Sequence, residues 1–107
     1  MENKITFDYD GQSYCLEYTK RTVKIMENNG FVPSKILEAP VTYLPELFAG
    51  AFLANHRFIK SDVIEAIFEK FENKAELINA LIEMYNEPIK ALTADSTEGN
   101  SIAWKRA

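Results

Sequence analysis

Twelve consecutive residues, Tyr43 to Ala54, hold nine apolar side chains and one charge, Glu46. A helix in a small domain normally keeps one wet face, and this segment barely has one. It must therefore be wrapped by the rest of the chain or covered by another molecule. Thr42 is placed to cap it, and Pro45 falls in the first turn, where a missing N–H costs little. On a helical wheel Leu44, Leu47, Phe48 and Ala51 share one face, with Phe58 in line if the helix runs on to 58. A second apolar face gathers around Tyr43, Ala49, Phe52 and Leu53, near Glu46, Gly50 and Arg57. Gly50 would let another backbone approach, at a cost of about 1 kcal/mol against alanine inside a helix. Two readings of the second face stand open: burial between the hairpin and the last helix, or contact with a partner.

The flanking sequence sets the fold class. Ile5, Phe7 and Tyr9 alternate with polar residues, Asp10-Gly11 supplies the positive φ of a tight turn, and Tyr14, Leu16 and Tyr18 alternate again. That pattern predicts a β-hairpin, which needs helices or another sheet beneath its apolar side. Thr19 caps a helix over roughly 20–29 that Gly30 stops. A connector bounded by Pro33 and Pro40 follows, with a single turn at 34–37. Val63, Ile64, Ile67, Phe68 and Phe71 predict one buried stripe of a helix that starts at Lys60 or Ser61. Asn73 with Glu76 reads as a capping box, and Leu77, Ile78, Leu81, Ile82, Tyr85, Ile89 and Leu92 mark one face of a long last helix. Pro88 should kink or break it. The expected architecture is a single α+β domain over 1–92, an N-terminal hairpin packed on about four helices. A polar, mobile tail follows at 93–107, with an apolar tip at Ile102-Ala103-Trp104.

Composition excludes several classes. The longest apolar stretch falls short of the roughly 20 residues a membrane span needs. Opening residues without a basic and then apolar segment predict no export signal, and one cysteine, Cys15, makes no internal disulfide; both favour the cytosol. The net charge of −4 is uneven: residues 62–98 carry nine acids against Lys70, Lys74 and Lys90. Nucleic acid is a poor partner for such a surface, because phosphate binding depends on clustered Lys and Arg.

No catalytic constellation emerges. His56, the one histidine, lacks the further ligands zinc requires. Pairing it with Cys15 as a nucleophile is weak, since a mid-strand cysteine has nothing beside it to lower its pKa. Asp62, Glu65, Glu69 and Glu72 read as the solvated side of a helix. No glycine cluster forms a phosphate-binding loop, so no cofactor or metal is expected. Trp104 remains, a residue type enriched among binding anchors. The expected partner-binding set is Tyr43, Glu46, Ala49, Gly50, Phe52, Leu53, His56 and Trp104.

Four segments carry a resemblance: Ile-Thr-Phe-Asp-Tyr-Asp-Gly-Gln-Ser-Tyr (5–14), Asn-Gly-Phe (29–31), Leu-Phe-Ala-Gly-Ala-Phe-Leu-Ala-Asn-His-Arg-Phe (47–58) and Met-Tyr-Asn-Glu-Pro (84–88). To about residue 92 the chain resembles a family of small phage and prophage proteins of Gram-positive bacteria. Its size, acidity and hairpin-plus-helices pattern are similar to the tail assembly chaperones of long-tailed phages. The resemblance implies a non-enzymatic protein of the host cytoplasm that coats the tape measure protein, helps recruit the tail tube protein and self-associates as an oligomer. It also implies absence from the finished particle and, in some members, a longer form made by ribosomal frameshifting. Two alternatives belong to other classes: a structural tail component of the virion, and a phage-encoded inhibitor of a host enzyme.

Overall fold

A hairpin turn of two residues starts the chain's first element pair. In a computed structural model describing residues 3–94 and 102–106, strand β1 (Ile5–Tyr9) pairs antiparallel with β2 (Gln12–Leu16). Asp10 and Gly11 both have positive φ, 51° and 79°, the geometry whose twist matches two paired strands. Four helices follow: α1 (Lys20–Asn28), α2 (Pro40–Gly50), α3 (Ser61–Lys70) and α4 (Lys74–Thr93), with a 3-10 turn at Pro33–Ile36 before α2. The fold is α+β, as the sequence predicts, and α2 packs against α1, α3 and α4 together.

Local chemistry explains the first helix. Thr19 and Thr22 exchange bonds in a reciprocal cap. At the other end Phe31 N–H donates to the Met26 carbonyl and Gly30 N–H to that of Glu27, a Schellman closure with Gly30 at φ 92°. Phe31 is thereby delivered into the core against Tyr85, their rings 5.3 Å apart.

The second helix departs from expectation at both ends. It begins at Pro40, not at Tyr43, because Pro40 carries a preset helical φ and lacks the N–H that the first turn leaves unpaired. Ala39, not Thr42, is the N-cap, and Pro45 consequently falls past the first turn, where Val41 loses its usual donor. Val41 is 89% exposed, so the lost bond falls at the surface, where it costs little. The helix stops at Gly50 and does not run to 54 or 58. Its last bonds tighten: Ala51 N–H reaches Phe48, Phe52 reaches Ala49, and Leu53 reaches Gly50. The Leu47 carbonyl is left without Ala51 as donor, and the buried Tyr18 hydroxyl donates to it at 2.6 Å.

The core lies under the hairpin, where Leu16, Leu47, Phe48, Phe52, Ile67, Leu81 and Tyr85 are almost fully buried. Phe48 and Phe52 meet edge to face at 5.2 Å, and Phe71 reaches Phe7 at 4.8 Å. Of the expected α3 stripe only Ile67 is sealed; Val63, Ile64, Phe68 and Phe71 stay half-buried. Asn73 does not form the expected capping box. With φ at 58° it turns the chain, and its side-chain amide meets the Glu76 carboxylate at 3.4 Å. Lys74 instead closes α3, donating to the Glu69 and Phe71 carbonyls at 3.0 and 2.9 Å. The last helix continues through Pro88 without a break. Its buried face ends at Tyr85, with Ile89 at the surface and Leu92 70% exposed, so the residues beyond Pro88 carry little packing that a lost bond would disturb. The polar stretch 95–101, expected to be mobile, lies outside the described residues.

Two buried phenols with different bonding should respond oppositely to loss of their hydroxyls. Tyr85 Oη is buried without a partner, whereas Tyr18 satisfies Leu47. Burial raises the pKa of both, with Tyr85 a smaller influence on Tyr18 and Glu27 a smaller one on Tyr85. Urea denaturation should show Tyr18→Phe destabilised by about 1–2 kcal/mol and Tyr85→Phe unchanged or slightly stabilised. Because both folded-state values lie above the unfolded tyrosine value near 10, this stability is full below that pH and is lost as pH rises above it. Tyr18→Phe should flatten part of the alkaline loss.

Candidate interaction surface on the second helix

The segment after α2 is held by the hairpin. Cys15 pairs with Thr6 in a register closed by a two-residue turn, which aims the Cys15 amide and carbonyl away from β1. Residues 51–56 occupy that side. His56 Nε2 accepts from Cys15 N–H at 3.0 Å, Asn55 Nδ2 donates to the Cys15 carbonyl at 3.2 Å, and Glu17 N–H donates to the Ala51 carbonyl at 3.1 Å. Asn55 also reaches the Glu17 carboxylate at 2.8 Å. The Tyr14 ring lies 4.9 Å from the imidazole.

This anchoring turns one edge of α2 outward as a ridge of Pro45, Glu46 and Ala49 between two grooves. On the α1 side, a groove of about 210 Å³ is lined by Met26, Phe31, Ala49 and Leu53, with Glu46 and Asn29 at its lip. On the α3 side, a groove of about 430 Å³ has Phe48, Ile64 and Phe68 as its floor and Glu46, Glu65 and Glu69 around it.

The eight expected residues divide accordingly. Glu46, Ala49, Gly50 and Leu53 come together at the α1-side groove, with Tyr43 beside it, 6.1 Å from the Phe31 ring. Gly50 is buried, and the group that approaches it belongs to the same chain: an added Cβ would collide with the Met26 thioether. Phe52 is 1% exposed, a core residue with no surface to offer. Its position on the apolar rod did not distinguish it from Leu53, because the early end of α2 rotates the following residues out of helical phase. His56 is half-buried as a strand-edge partner, while Trp104 is 81% exposed, far from the core in burial terms. Phe58, expected in line with the buried face, is 88% exposed with the Arg57 guanidinium 5.2 Å above its ring. Met26, Asn29 and Phe31, missed as surface-forming residues, lie at the Schellman closure; the Asn-Asn-Gly stop was the available signal.

As chemistry, the arrangement offers shape and apolar contact. Among the described residues no group of three or more His, Cys, Asp and Glu side chains is placed to hold a metal. The Nε2 lone pair that a general base would use is engaged by a backbone amide. Asp62, Glu65, Glu69 and Glu72 are all exposed. No helix among the described residues is long and apolar enough to cross a membrane.

The chain belongs to the family described as Domain of unknown function (DUF5055), whose model matches residues 1–107. No curated protein and no solved structure matches the chain.

The role found for His56 is directly checkable. His56→Ala leaves the Cys15 amide without its acceptor and should cost about 1–2 kcal/mol in urea denaturation, while Asn55→Ala, which removes more exposed bonds, should cost about 0.5 kcal/mol.

Proposed function

We propose that the protein is a non-enzymatic tail assembly chaperone of a phage or prophage, acting in the host cytoplasm. It binds the tape measure protein through the groove between α1 and α2, helps recruit the tail tube protein, and self-associates along its client. The observation that carries this reading is the open groove formed by Met26, Phe31, Ala49 and Leu53 with Glu46 at its lip. A helical client lays apolar side chains at helical spacing into such a groove. The groove is small, so burying its apolar wall at roughly 25 cal/mol per Å² gives only about 1–2 kcal/mol per coating subunit before entropic losses, and a firm hold on a long client comes from many subunits together. The exposed acids of α3 and α4 suit the second requirement of a coat, keeping the assembly dissolved. The choice of client rests on the resemblance to tail assembly chaperones.

Leu53→Asp places a charge on the groove wall. Circular dichroism should show a folded protein, and co-purification with the tape measure protein should fall about tenfold or more. Unchanged client binding and unchanged light-scattering mass would refute the assignment. Detection of the protein in purified virions by mass spectrometry would favour a structural tail component instead.

A further inference from the structure

The groove on the other side of the ridge has a fitting occupant within the same sequence. Its floor is apolar, from Phe48, Ile64 and Phe68, and Glu46, Glu65 and Glu69 surround it. All three carboxylates are exposed and, among the described residues, none is in an ion pair. Lys74 stands at one end, its ammonium 5.9 Å from the centre of the Phe68 ring. With Lys74 counted, the three acids leave a local charge of −2. The C-terminal segment Ile102-Ala103-Trp104-Lys105-Arg106 carries the complement: two large apolar side chains followed by two cations, a charge of +2. On its own chain this segment is not docked, with Ile102 89% and Trp104 81% exposed.

We propose that residues 102–106 of one copy dock into the α2–α3 groove of a second copy, with Ile102 and Trp104 on the apolar floor and Lys105 and Arg106 against Glu65, Glu69 and Glu46. The groove and the segment are different parts of the chain, so each contact pairs unlike surfaces. Each copy keeps both a groove and a segment, so the contacts either close as a reciprocal exchange between two copies or continue from copy to copy. Charge complementarity fixes the direction in which the segment lies, and the aromatic anchor provides most of the contact area. The inference does not depend on the chaperone reading, since it uses the groove opposite Leu53 and needs no client.

Trp104 is the single tryptophan, so its fluorescence reports the docking without a label. With the purified full-length chain, its emission should move to shorter wavelength as protein concentration rises, in step with the mass measured by light scattering. The double variant Lys105→Glu/Arg106→Glu and the double variant Glu65→Lys/Glu69→Lys should each weaken association about tenfold or more. Each should keep its circular dichroism spectrum, because all four side chains are exposed. Mixing the two variants should restore the shift, since the native tail of one meets the native groove of the other. Emission that stays at the water-exposed position at every concentration overturns the proposal. So does a short-wavelength emission independent of concentration, which would place the tail on its own chain. Association that survives both charge reversals overturns it as well.

Discussion

A two-stranded hairpin has two open sides, and the structure depends on how one of them is closed. The amide and carbonyl of Cys15 and the amide of Glu17 point away from β1, and the turn after α2 supplies partners for all three through His56, Asn55 and the Ala51 carbonyl. Buried or half-buried backbone groups without partners are expensive, so this closure fixes where residues 51–56 must lie. The fixed turn in turn ends α2 at Gly50. The Tyr18 hydroxyl completes the arrangement by taking the carbonyl that the shortened helix no longer uses. Strand, turn and helix end are thus one bonded unit.

That unit sets the geometry of the surface. With its end pinned to the hairpin, α2 rests Leu47 and Phe48 on the core and turns Pro45, Glu46 and Ala49 outward. Gly50 admits the Met26 side chain, which brings α1 close enough to form a groove wall. On the opposite side, α3 stays a half-buried layer, so Ile64 and Phe68 remain available as a groove floor. The excess apolar character of residues 43–54 is divided: Leu47, Phe48, Ala51 and Phe52 are sealed, and Tyr43, Leu44, Ala49 and Leu53 are half-open.

Much of this was legible in the residues. The hairpin followed from strict alternation around Asp10-Gly11, and α1 from Thr19 and Gly30, because such signals are local and strong. The ends of α2 were not, since both were decided by groups distant in sequence: Pro40 outcompeted Thr42 as a start, and β2 imposed the stop. Phe52 and Leu53 look equivalent in a helical run, yet a change of phase at Gly50 sends one inward and leaves the other half-open. The edge-binding role of His56 was equally hidden, because its partner lies 41 residues away. Trp104 was marked by its type alone, and the acidic groove that complements its basic neighbours spans two helices separated by a turn.

The same closure gives the sheet a polarity. With β2 sealed by the turn, the ribbon can be extended only across β1, where Thr6 and Asp8 face outward in the non-hydrogen-bonded register and are exposed. Lys4, Asp8 and Asp10 line that free margin with charges of both signs, a device by which natural sheets discourage indiscriminate strand addition. Edge pairing between copies there would bring these charges together without partners, so the margin that the turn leaves open is the one its charges guard.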